Sequence, residues 1–368
     1  MRWRQFRSLL QSVHLWLALI LSLPMIVIGL TGSALLVQRE ILALSVPGAT
    51  TPGVPRPIAE IVAAAEERAP EGMAASRIDV PRGPGWAATV RFTPSAPAIP
   101  EHDIYVDPVS LQILGDAEVI ERGPILALLI ETHAFLQMPP HIGLPFVGFV
   151  GVIMTFMGLS GLVLWWPAKG QWRKSFGVRR GARGLLFHRD LHHAAGIWGV
   201  LVLLLVSVSG IYLTFPQTIG PYVQSAFPSE PVTIEPPPDF VPHQGPIGPE
   251  EAIAIALEVV PNARALGLQF GRANAAFVVD LEPTGWSSSL PLALVSIDRT
   301  TAEVLYIEDP RTYPLPEKVL NSQFLIHFGV GLGWFWKIMV FFSGLLPTLL
   351  AVTGVMIWWK KRKARQAM

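Results

Sequence analysis

Four stretches of the chain carry no charged residue and are almost wholly apolar: Leu15 to Val37, Gly143 to Trp166, Ala194 to Phe215 and Ile338 to Trp359. They are 23, 24, 22 and 22 residues long, and a helix needs about 20 to cross a bilayer. The pattern predicts four transmembrane helices. The first follows Arg2, Arg4 and Arg7 as a signal peptide would, but its apolar run exceeds the roughly 7 to 15 residues of a signal core, so it reads as an uncleaved anchor. The long segments between spans one and two and between spans three and four, Gln38 to Gly123 and Pro216 to Gln323, have a different texture. Each opens on an amphipathic helical pattern, Ile58 to Ala69 and Glu250 to Val260. Strand-like runs follow, Ala87 to Phe92 and Ile104 to Leu114 in the first, Ala276 to Leu281 and Leu292 to Ile307 in the second. Each segment predicts a small α+β domain, with the Pro-rich edges Pro47 to Pro57 and Pro228 to Pro249 as extended linkers.

Charge sets the orientation. Residues 1–13, 168–191 and 360–368 hold 15 of the 28 basic residues and 1 of the 27 acidic ones. The positive-inside rule places these three segments, and hence both termini, in the cytoplasm. The two patterned segments then lie outside, which in a bacterium is the periplasm. The expected division is residues 1–13 cytoplasmic, 14–37 first span, 38–123 outer domain, 124–166 lead-in and second span, 167–190 basic inner loop, 191–215 third span, 216–323 second outer domain, 324–359 lead-in and fourth span, and 360–368 basic tail.

The two halves repeat. Val106 to Leu114 (VDPVSLQIL) matches Ile297 to Leu305 (IDRTTAEVL), and Ser160 to Trp166 (SGLVLWW) matches Thr353 to Trp359 (TGVMIWW). Thr31-Gly32 matches Ser209-Gly210, which sets His14 opposite His192; His133 and His327 correspond within one residue. The expected fold is an α-helical membrane protein built as a duplicated helix, outer α+β domain, helix unit, related by a pseudo-two-fold axis along the membrane normal. Such an axis brings equivalent residues face to face. His14 and His192 lie 18 residues, about 27 Å, inward of Gly32 and Gly210, at the cytoplasmic edge. His133 and His327 precede Trp165 and Trp358 by 32 and 31 residues, about 46 to 48 Å of continuous helix, and are expected at or above the outer surface with a bend at Pro139-Pro140. Two facing imidazoles suit a planar haem with one axial ligand from each side. His188 and His193 compete with His192, and His141 with His133. His102 and His243 read as solvated surface.

Composition narrows the chemistry. Of 368 residues 51% are hydrophobic and 15% charged, with mean hydropathy +0.44; a soluble domain carries roughly a quarter charged residues. The absence of cysteine excludes disulfides, iron–sulfur clusters, thiolate zinc, a Cys nucleophile and covalently attached haem. No nucleotide-binding loop, H-E-x-x-H or G-x-S-x-G occurs, and the scattered basic residues argue for lipid contact and against nucleic acid. Small residues recur along the spans, which serves close helix packing or close approach to a haem face.

The motifs VHLWLAL…GLTG, THAFL…GLSGLVLWWP, RDLHHAAGIWG…SG and IHFGVGLGWFWKI…GLLPTLLAVTGVMIWWKKR resemble the PepSY-associated transmembrane family, which includes PiuB-like iron-regulated proteins and FoxB-type ferrisiderophore reductases. The resemblance spans nearly the whole chain. It implies a bacterial inner-membrane protein with periplasmic PepSY domains and, in the reductase branch, two b-type haems, with His14 and His192 inside and His133 and His327 outside as ligands. His193 stands where the family pattern D-L-H-R has Arg. The implied activity is reduction of ferric siderophore in the periplasm by outer-sphere electron transfer, with no catalytic acid or base and with a quinol or a cytoplasmic flavoprotein as donor. The contrasting expectation is a non-enzymatic membrane module that binds or regulates a periplasmic peptidase or senses a ligand.

Overall fold

The computed structural model describes residues 3–38, 47–81, 83–94, 100–118, 124–229, 234–271, 275–284 and 291–366. Arg2, Gly123 and residues 230–233 of the second Pro-rich edge lie outside them. In chain order the elements are α1 (Trp3–Leu35), α2 (Ile58–Glu66), β1 (Met73–Asp79), β2 (Ala88–Pro94), β3 (His102–Val106), β4 (Ile113–Glu118), α3 (Pro124–Phe135), α4 (Pro140–Trp165), α5 (Trp172–Ser175) and α6 (Gly184–Thr214), followed by α7 (Pro216–Ala226), α8 (Pro249–Val259), β5 (Ala263–Phe270), β6 (Ala276–Pro283), β7 (Ala293–Asp298), β8 (Val304–Glu308), α9 (Leu315–His327) and α10 (Gly333–Gln366). The chain forms two compact units, one of residues 1–38, 128–226 and 319–368, the other of residues 39–127 and 227–318.

The first unit is a bundle of α1, α4, α6 and α10, each long and apolar enough to cross a membrane. Each packs on the next, and α10 closes the ring onto α1. With no water to expel between helices, close backbone approach holds such bundles together. At the α1–α10 crossing a Cβ on Gly29 would overlap the Gly344 carbonyl, and Ser33 Oγ donates to the Phe341 carbonyl at 2.8 Å. The basic inner loop is tethered to the bundle. Arg179 donates to both oxygens of buried Asp190 at 2.7 Å, and Trp165 and Trp198 donate their indole N–H groups to the carbonyls of Ser175 and Phe176.

The continuous helices expected through His133 and His327 are both interrupted. Between α3 and α4 the backbone of Leu136 and Gln137 turns left-handed, and the chain doubles back so tightly that a Cβ on Gly143 would overlap the Phe135 carbonyl. The break falls beside Pro139-Pro140, as the sequence predicts. The second interruption, 328–332, carries no proline; Gly329 and Gly331 supply it with φ of 65° and 81°, which only glycine adopts freely.

In the second unit the two outer segments do not form separate sheets. Their strands make one antiparallel sheet of order β4-β3-β2-β1-β5-β6-β7-β8, joined where β1 pairs with β5. Among the described residues each segment contributes the predicted helix and four strands where two runs were expected: Ile104 to Leu114 and Leu292 to Ile307 each divide at a turn, and β1 and β5, which the pattern did not predict, pair with each other at the seam, covering the edges that separate domains would expose. Alternate residues, Ile78, Val90, Phe92 and Ile104 from one segment and Leu268, Phe277, Val279, Leu281 and Val295 from the other, form one core beneath α2 and α8. The opposite face is polar: Arg91 pairs with Asp103, and Arg77 of β1 joins Asp79 to Asp280 of β6 across the seam. The two matched VDP and IDR segments make the same turn. Asp107 Oδ1 accepts the N–H groups of Val109 and Ser110, Asp298 Oδ1 those of Thr300 and Thr301, and Leu111 and Ala302 both take φ 62°. His102 and His243 belong to this unit, half-buried beside Asp116 and Glu258 at 3.9 and 3.4 Å rather than simply solvated.

Candidate functional site

All four predicted histidines lie in the helix bundle, and all four rings are anchored in the same way. His14 Nδ1 is 2.8 Å from Ser160 Oγ, and His192 Nδ1 is 2.9 Å from Thr353 Oγ1. His133 Nδ1 lies 3.3 Å from Thr31 Oγ1 and 2.9 Å from the Ile28 carbonyl; His327 Nδ1 lies 3.2 Å from Ser209 Oγ and 3.1 Å from the Val206 carbonyl. Each hydroxyl is followed by a glycine against which the ring rests: Gly161 and Gly354 for the inner pair, Gly32 and Gly210 for the outer. A Cβ on Gly32 would stand 2.7 Å from His133 Cε1, and one on Gly210 would stand 3.0 Å from His327 Cε1.

The hydrogen-bond chemistry assigns the proton on each ring. Ser160, Thr353, Thr31 and Ser209 each donate their single hydroxyl hydrogen to a carbonyl one turn back on their own helix, that of Met157, Leu349, Val27 and Val206 respectively. The Ile28 and Val206 carbonyls can only accept, so Nδ1 is the N–H in His133 and His327 and their Nε2 carries the lone pair that can bind a metal. A hydroxyl that gives its hydrogen to its own helix accepts from the ring, and the same tautomer then follows for His14 and His192.

The inner and outer pairs differ in setting. His14 and His192 line a common cavity of about 840 Å³ with Met25, Met154, Met157, Trp165 and Trp358, a size that accommodates an organic cofactor. The rings of His133 and His327 are neighbours, with centroids 6.1 Å apart and planes tilted by 51°. Two imidazoles binding one metal through Nε2 at about 2 Å from opposite sides have ring centres about 6 Å apart, so this spacing fits bis-histidine ligation of a single iron. Among the described residues no group of three or more His, Cys, Asp or Glu converges as a metal cage. Two imidazoles are too few to cage a bare ion, and would instead hold a metal that carries further ligands of its own, as in a haem.

Depth departs from the expectation for the outer pair. The lead-ins fold back, so that His133 sits level with Ile28 to Gly32 of α1, and His327 with Val206 to Gly210 of α6. These residues lie 5 to 9 positions, roughly 8 to 14 Å, inside the ends of the apolar stretches at Val37 and Phe215. The rings are within the outer part of the bundle, not above it. Along α1 the inner and outer sites are 14 to 18 residues apart, about 21 to 27 Å.

Of the competing histidines, His141 is exposed, and His188 packs its ring on Phe187 and is not among the residues lining the inner cavity. His193 does line that cavity, but His192 is the ring held by Thr353 as His14 is held by Ser160. Sequence reasoning assigned the small residues to helix packing or to a haem face; the structure adds that four of them lie against the histidine rings. The available signal was a Ser/Thr-Gly dipeptide in every span, Thr31-Gly32, Ser160-Gly161, Ser209-Gly210 and Thr353-Gly354, although the fourth span also holds Ser343-Gly344, which packs on α1 and meets no histidine.

The architecture is that of a membrane protein with four helices able to span a bilayer and an antiparallel sheet unit built from the segments between them. The sequence model of the family described as PepSY-associated TM region matches residues 11–361, nearly the entire chain. The chain belongs to the PepSY-associated TM region family. None of the curated proteins compared with it matches.

Proposed function

We propose that the protein is a duplicated, pseudo-two-fold dihaem b-type membrane reductase of the bacterial inner membrane, which passes electrons outward to ferric siderophore in the periplasm. The observation that carries this reading is the fourfold recurrence of one arrangement: a histidine whose Nδ1 is held by a Ser/Thr-Gly pair on another helix, which leaves Nε2 free of that contact and able to take a metal. A structural histidine needs no such recurrence at both ends of both halves.

Two noncovalent haems held by His14 with His192 and by His133 with His327 would supply one-electron transfer across the bilayer. The side chains do the rest. The Ser and Thr hydroxyls fix ring orientation and make each imidazole a stronger donor. With two histidines on each iron, a haem held here would have no position left for oxygen and would serve electron transfer. The positively charged inner segments set both termini in the cytoplasm and the sheet unit in the periplasm. A membrane potential negative inside then favours outward electron movement by about 2.3 kcal/mol per 100 mV. Each ferric chelate accepts one electron and becomes a ferrous chelate; Fe(II), larger and less charged, is held less tightly, so the metal leaves with no bond of the chelator broken. A quinol or a cytoplasmic flavoprotein would supply the electron.

Purified in mild detergent, the protein should be red, and dithionite should sharpen the Soret and α bands of low-spin b haem. Anaerobically reduced protein mixed with a panel of ferric chelates should be reoxidised by hydroxamate complexes, with one Fe(II) trapped per electron. A colourless preparation from haem-replete cells overturns the proposal and favours the peptidase-binding or sensing module.

A further inference from the structure

The mouth of the inner cavity is strongly and asymmetrically charged. Arg7, Arg189, Lys361, Arg362 and Arg365 all line it, and among the described residues lining it none is acidic. Asp190 approaches one of them, at 3.7 Å from Arg189 Nε, but both its oxygens are already bonded to Arg179. Arg362 lies over the Trp358 ring, and half-buried Arg7 gives one N–H to the Leu164 carbonyl; neither contact neutralises a charge. Deeper in, the lining turns apolar, with Leu19, Met25, Met154 and Leu346. The cations lie on one side of the histidines: Arg7 is two turns, about 10 Å, before His14, and Arg189 one turn before His192.

An apolar cavity with two metal-binding imidazoles in its wall and five cations at its rim is complementary to a flat apolar molecule bearing anionic groups along one edge. We infer that these cations form a subsite for the two carboxylates of the inner tetrapyrrole, holding that edge toward the basic, cytoplasmic face and rejecting the inverted orientation; the inference rests on the dihaem reading. Ordinary topology-setting cations would gather near the same end of the helices, but they would not discriminate between an acid and its ester. Arg7 and Lys361 line the cavity from two different helices, α1 and α10.

The test uses the full-length His133→Ala protein, in which only the inner site remains, made in haem-limited cells and titrated in mild detergent with iron protoporphyrin IX and with its dimethyl ester, following the Soret band. The free acid should bind about tenfold or more tightly than the ester. In an added Arg7→Gln, Lys361→Gln background the two should bind within about twofold, while Arg7→Lys, which keeps the charge, should retain the preference. Equal binding of acid and ester by the cavity with its native cations, or a preference unchanged in the Gln variant, overturns the inference and leaves the dihaem reading standing. Failure of the parent chain to take up either compound at any site overturns the dihaem reading and this inference with it.

Discussion

The outer and inner histidine pairs use the same side chains and differ in how firmly the rings are fixed. At the outer pair each imidazole is held by a carbonyl and a hydroxyl at once, pressed on a glycine, with the partner ring 6.1 Å away. At the inner pair His14 rests on the single hydroxyl of Ser160, Gly161 and Gly354 stand at an ordinary 3.6 Å, and the rings open onto a cavity with a charged rim. One site is determined by the protein before any ligand arrives; the other leaves more of its geometry to the ligand. The difference has a local cause. The outer rings come from lead-in helices that double back against α1 and α6, whereas the inner rings stand on the spanning helices themselves.

The largest expected effect tests whether the pairing is real. His133→Ala and His327→Ala should each remove the same haem, and His14→Ala and His192→Ala the other, so haem per chain falls from about two to about one in every case and close to zero in His14→Ala with His133→Ala. Pyridine haemochrome assay reads it directly, and a His188→Ala protein that lost one haem while His192→Ala kept both would refute the inner assignment. Next in size come the glycines. Gly32→Ala should weaken the outer site by tenfold or more, because a methyl 2.7 Å from a ring tied at two points has no room to be accommodated; Gly210→Ala should cost less, and Gly161→Ala and Gly354→Ala about twofold or nothing. Equal losses at inner and outer glycines would show that the rings are equally constrained. The smallest effect comes from the hydroxyls. Ser160→Ala removes the acceptor of the His14 Nδ1–H, worth about 1 kcal/mol or roughly fivefold in affinity. In Thr31→Val the Ile28 carbonyl still accepts from His133, and the outer site should change less than twofold. Redox titration of each variant, with the two waves resolved, checks both.

Much of this site is legible from order along the chain. Motifs that recur in the two halves, at offsets of 178 to 194 residues, make His14 with His192 and His133 with His327 stand out before any coordinate is known. The proline pair at Pro139-Pro140 likewise announces a break. The break at 328–332 is not announced, since Gly329 and Gly331 are two among many glycines in apolar helices and their left-handed backbone follows from where α9 must return. The depth of the outer histidines was misjudged for the same reason: counting residues along a helix measures depth only while the helix runs straight.

The sequence by itself determined that four segments are long and apolar enough to cross a membrane and which histidines stand beside them, because these depend on hydropathy and on order along the chain, both properties read from single positions and short windows. The tertiary structure decided that the eight strands share one sheet, that four Ser/Thr-Gly pairs each receive a ring from a different helix, and that Nδ1 carries the proton in His133 and His327. Those outcomes depend on contacts between residues a hundred or more positions apart, whose partners are chosen by packing and by hydrogen bonds that must be satisfied where water is absent.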